Sequence, residues 1–141
     1  MKDYSINSSD GLNQLFNSST LNELFPSDRT DQFFDALLGD ADEGAYDIRL
    51  IFQEANMNQL CFAFELKERP GKCLICSLTY GLPHVFTRHP IINVQKIVND
   101  IQEKLKGQAT IVDWSLGRTI QMSKSVHIIP LTIRLDHPLA I

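Results

Sequence analysis

The chain has 141 residues, 43% of them apolar, and its 13 basic and 17 acidic side chains give a net charge of −4. An acidic balance points away from nucleic acid, since phosphate neutralisation calls for a basic excess. No apolar run approaches the ~20 residues that span a bilayer, and the N-terminus lacks the continuous apolar core of a signal peptide. Three cysteines, an odd number, argue against a disulfide framework. These totals predict one cytoplasmic domain with no nucleic-acid and no membrane partner.

Residues 1–20 are rich in Ser, Asn and Asp and read as a flexible N-terminal leader, ahead of a single domain over residues 21–141. Within that leader, Leu12-Asn-Gln-Leu-Phe16 recurs nine residues later as Leu21-Asn-Glu-Leu-Phe25. Each copy places Leu, Leu and Phe at i, i+3 and i+4, one face of a helical turn, with Asp10 and Thr20 as candidate caps. The repeat is either a tandem duplication with no role or a docking peptide whose first copy binds a neighbouring molecule.

Pro26-Ser27-Asp28 is a helix-start signal. Phe33, Phe34, Leu37 and Leu38 then predict one apolar face ending at Gly39. The acidic loop Asp40, Asp42, Glu43 and Gly44 resembles a calcium loop, but its glycine comes one position early and Ile51 stands where a bidentate carboxylate belongs. Three strand signals follow. Tyr46, Ile48, Leu50 and Phe52 alternate with Asp47, Arg49 and Gln53, and Leu60, Phe62, Phe64 and Leu66 repeat the pattern against Cys61, Ala63, Glu65 and Lys67. Pro70-Gly71 suits a type II turn, after which Cys73–Tyr80 reads as the third strand of a meander.

Gly81, Pro83 and Pro90 predict a structured loop over residues 81–92. Asn93 then caps a helix whose buried stripe is Val94, Ile97, Val98, Ile101 and Leu105. Two strands close the chain, about 110–116 and about 126–135. Pro130 in the second cannot donate to a ladder, which demands a sheet edge or a bulge. The predicted fold is α+β, in α-β-β-β-α-β-β order, with a five-stranded, mainly antiparallel sheet and two helices packed on one face. The other face, with Cys61, Ala63 and Glu65 beside Cys73, Ile75, Ser77 and Thr79, is half apolar and suits a homodimer or another partner.

Cys73 and Cys76, with His84 and His89 downstream, graze a zinc pattern. In a strand, residues three apart face opposite ways, so the two thiols could not share one metal. No metal site and no cofactor are therefore predicted. Tyr80, His84, Arg88 and His89 form the candidate ligand site, three polar groups that could hold an anion between the apolar walls of Tyr80 and Phe86. The charges of Lys67, Arg69 and Lys72 at the hairpin tip read as a solvated turn. No nucleophile elbow, P-loop or dinucleotide glycine motif is present.

The element order resembles that of type III secretion chaperones, over roughly residues 27–135, though the helix that usually closes that fold is missing here. This resemblance of architecture implies a dimer that wraps an extended protein segment, and no residue roles follow from it. The leading expectation is a non-enzymatic protein- or peptide-interaction module, and the alternative is a small-molecule or anion-binding domain or enzyme using the 80–90 loop.

Overall fold

A computed structural model describes residues 12–77 and 82–138. The fold is α+β, built on a five-stranded antiparallel sheet with helices against one face. Its helices are α1 (Ser18–Leu24), α2 (Asp28–Leu38), α3 (Leu74–Ser77), α4 (Leu82–Arg88) and α5 (Val94–Lys104). The strands are β1 (Tyr46–Asn56), β2 (Gln59–Glu68), β3 (Ile111–Leu116), β4 (Ile120–Gln121) and β5 (Val126–Leu135). They lie in the order β1-β2-β5-β3, and β4 pairs with β5 beyond the end of β3.

The alternation of β2 decides which face is buried. Leu60, Phe62, Phe64 and Leu66 are buried under the helices, opposite Ile133, Leu131, Ile129 and His127 of β5. The predicted stripe of α5 is buried as spaced, and the Asn93 side chain accepts the Lys96 N–H at its start. The Pro70-Gly71 turn forms as expected, with Gly71 at φ +76° and the Lys72 N–H donated to the Arg69 carbonyl.

Several expectations change. Residues 12–15 form a helical turn that leads into α1, and Leu12 and Phe16 are buried in the core. Composition hides this because the apolar residues, though few, fall at one helical spacing. The two repeat copies do related work. Phe16 meets Phe62 edge-on with ring centroids 5.0 Å apart, and Phe25 meets Phe64 at 5.7 Å. One nine-residue repeat thus advances two residues along β2, the distance between successive inward side chains. Asn17 rather than Thr20 caps α1, accepting the Thr20 N–H, while Asp10 lies outside the described residues.

The strand predicted over Cys73–Tyr80 is helical at Leu74–Ser77, and residues 78–80 lie outside the described part. The side of β2 that a meander needed is taken by β5, which pairs from Gln59↔Arg134 to Lys67↔Val126. The Leu74 N–H is instead accepted by the Glu68 carboxylate at 3.0 Å. The predicted 81–92 loop contains helix α4. Pro83 lies in its first turn, where no backbone N–H is needed, and Pro90 follows its end. Leu37 and Leu38 continue the apolar face of α2 but run past the sheet and are about half exposed, at 48% and 49%.

Pro130 lies in β5, which is central rather than at an edge. Residues of an antiparallel strand direct N–H and C=O to the same side. The Pro130 carbonyl accepts the Gly117 N–H at 2.8 Å, so its missing donor faces the break between β3 and β4. The irregularity that proline demands is carried by the neighbouring strand.

Candidate functional site

Of the predicted ligand residues, the three that are described do not converge on one pocket. Tyr80 lies outside the described residues. His84 and Arg88, one helical turn apart on α4, are both exposed, with no partner among the described residues. His89 turns inward. Its ring packs edge-on against Phe33 at 4.8 Å, and its Nδ1 accepts the Ile91 N–H at 3.2 Å. Burial holds its imidazole below the ordinary value. His89 is thus occupied in holding α4 to α2, and Phe86 is buried against Phe33 and Phe64 instead of walling a ligand cleft.

The alternation argument that separated Cys73 from Cys76 does not apply where the backbone is helical. Cys73 is exposed and disulfide-bonded, a cross-link the cysteine count did not predict. Cys61 on β2 is a free thiol, its pKa raised by burial and then by the nearby Glu54 carboxylate. Among the described residues no group of three His, Cys, Asp or Glu side chains could hold a metal ion. None of the described helices is long and apolar enough to cross a membrane.

Arg69, read from sequence as part of a solvated turn, is largely buried and organises the acidic loop. Its guanidinium donates to the carbonyls of Ala41 and Gly44 and to the carboxylates of Asp31 and Asp47. Gly44 permits this closure, because a Cβ there would stand 2.2 Å from the Phe34 ring. His127 on β5 is also buried, and its Nδ1 has no hydrogen-bond partner among the described residues.

The sheet edges form the other candidate. At β1, the Thr30 hydroxyl of α2 accepts the Ile48 N–H at 3.0 Å and donates to the Ile48 carbonyl at 3.1 Å. One buried side chain thereby satisfies both outward groups of an edge residue. At β3, Gln102 of α5 plays a similar part at the start only. Its Oε1 accepts the Ile111 N–H at 2.7 Å and its Nε2 donates to the Ala109 carbonyl. A bulge between Ile111 and Asp113 then leaves Val112 exposed at 53%.

The Gly117–Pro130 bond sets the phase of the remainder. With the register Ser115↔Thr132 and Asp113↔Arg134, residues 113, 115 and 117 face β5, and the N–H and C=O groups of Trp114 and Leu116 face outward. No described group takes those four positions. Beside them lies a groove of about 360 Å³ between α5 and β3, lined by Gln95, Val98, Asn99, Gln102 and Trp114 among others. Its polar groups are mostly engaged with each other. The Trp114 indole N–H donates to Gln95, and Gln95 donates to Asn99. Asp113 is paired with Arg134, whose hydrogen bond and charge hold the carboxyl below its usual range.

The outer sheet face is built from β1, β2, β5 and β3, without Cys73 or Ile75, while Thr79 lies outside the described residues. Ala63 and Ile128 are buried there beneath longer neighbours, and the Arg49–Glu65 pair crosses from β1 to β2 at 2.7 Å. Sequence periodicity located every one of these strands except the short β4, but periodicity does not reveal neighbour order, so the open edge was not visible in it. The exposed Val112 among Asp113 and Ser115 is the one local sign of an irregular edge strand. Comparison with family models, with curated proteins and with solved structures finds no match.

Proposed function

We propose that this protein is a non-enzymatic interaction module that takes up an extended polypeptide segment by strand addition along β3. The observation that carries this reading is local to β3: Trp114 and Leu116 present outward backbone groups that no described group takes, beside a groove, whereas Thr30 takes both outward groups of Ile48 on β1. Added strands gain affinity from main-chain hydrogen bonds and specificity from pockets beside the edge. Asp113, the charged residue lining the groove, is paired with Arg134. That favours an uncharged segment with an apolar side chain set against Val98 and the indole.

The test is selection of binders from a display library of short peptides, followed by amide hydrogen exchange on the full chain. Bound peptides should protect the Trp114 and Leu116 amides selectively, and Leu116→Pro, which removes an outward N–H unused by the fold, should abolish binding. Peptides that leave those two amides unprotected would refute strand addition at β3.

A further inference from the structure

The open stretch of β3 is short, and its register is self-complementary. Only Trp114 and Leu116 have both backbone groups directed outward and unclaimed, because Ile111 is held by Gln102 and Val112 is bulged. In a two-fold antiparallel pair, each residue faces the one an equal distance beyond the axis, so the position of the axis decides what meets what. With the axis at Trp114, Leu116 would face the bulged Val112. With the axis at Leu116, Trp114 would face Arg118, which lies in the break between β3 and β4. With the axis at Ser115, Trp114 of one copy faces Leu116 of the other and all the open groups are used.

Resting on the strand-addition reading, we propose that the segment taken up by β3 is β3 of a second copy of this chain, paired antiparallel with Ser115 on the two-fold axis. Trp114 and Leu116 then exchange four backbone hydrogen bonds across the interface, and the two sheets become one. Side chains agree with this register. Ser115, small and exposed, meets its own equivalent at a non-hydrogen-bonded position, where Cα atoms approach to about 4.5 Å. Asp113 faces Gly117, which has no side chain to obstruct it. Trp114 lies beside Leu116 on the helix-covered side, an aromatic–aliphatic cross-strand pair. No like charges are opposed, which would otherwise weaken a strand pair. The pairing is isologous and uses up each edge, so it closes as a dimer.

The register is tested by single cysteines in the full chain. Under mild oxidation, Ser115→Cys should convert most of the protein to a covalent dimer on a non-reducing gel. Asp113→Cys, which faces Gly117 in this register, should stay at the wild-type level. The wild-type chain, carrying its own three cysteines, sets the background. Sedimentation of the wild type should show a dimer, and Leu116→Pro should shift it to monomer while circular dichroism confirms an intact fold. A monomeric wild type, or a dimer that Ser115→Cys fails to cross-link beyond background, overturns the proposal. In either case, peptide protection of the Trp114 and Leu116 amides would still uphold strand addition itself, so the two readings fail separately.

Discussion

The two edges of the sheet meet one problem in different ways. An edge strand exposes a row of donors and acceptors that invites pairing with another chain. On the β1 side a whole helix is brought up, and a buried threonine inside it answers the N–H and C=O of Ile48 together, while the outward groups of Leu50 and Phe52 have no described partner. On the β3 side only the first residue is answered, by a glutamine reaching across from α5, and a bulge follows it. Protection of an edge is therefore a matter of particular side chains in phase with the ladder, and it can stop within a few residues.

Four variants break or sharpen this contrast. Phe33→Ala attacks the β1 side at its base, since Phe33 is fully buried and touches Phe34, Phe86 and His89. Loss of a buried phenylalanine costs about 3–5 kcal/mol, and urea unfolding should show it. Thr30→Val keeps the shape and removes the hydroxyl, stranding both outward groups of Ile48. A cost of about 2–3 kcal/mol is expected, together with faster exchange of the Ile48 amide, while β3 is unchanged. Gln102→Ala should cost about 1 kcal/mol and lengthen the open part of β3, so that the Ile111 amide exchanges as freely as a monomer's Trp114 amide.

The smallest effect concerns pH. Burial lowers the His89 pKa from its ordinary 6.5. The folded chain therefore binds fewer protons at this site than the unfolded chain, and stability rises with pH across that range. The contribution is complete above about pH 6.5 and is lost as pH falls below it. Comparing urea midpoints at neutral and mildly acidic pH should show a smaller drop for His89→Phe than for the wild type, because that variant keeps the ring against Phe33 without a proton to bind.

Much of the fold could be read before the structure. The alternation of Tyr46 to Phe52 and of Leu60 to Leu66, the stripe from Val94 to Leu105, and the Pro70-Gly71 turn all describe local periodicities that the fold retains. What failed depended on competition between distant segments. Cys73–Tyr80 has strand-like composition, yet β5 holds the only free side of β2. Pro83 and Pro90 read as loop constraints in the sequence, whereas Pro83 lies in the first turn of α4 and Pro90 follows its end. The candidate site fared worst, because a histidine on an apolar ring and a histidine at a ligand look alike in sequence. His89 is spent on Phe33, while His84 and Arg88 stay in solvent. The role of Arg69 is hidden in the sequence for a related reason, since its four partners come from three separate segments.

Pro130 has a consequence for how the chain finds its pairing. β5 is apolar on nearly every residue, so inward and outward patterning alone would let it slide by two positions and still bury its helix-facing side. Proline removes that freedom. Slid by two residues towards β3, its ring nitrogen would confront Ser115 in place of Gly117, and a carbonyl of β3 would lose its donor. The correct alignment is the one in which the missing donor coincides with the gap after Gly117. An imino acid in the middle of the sheet thus serves as an index mark, telling an otherwise ambiguous strand where to stop.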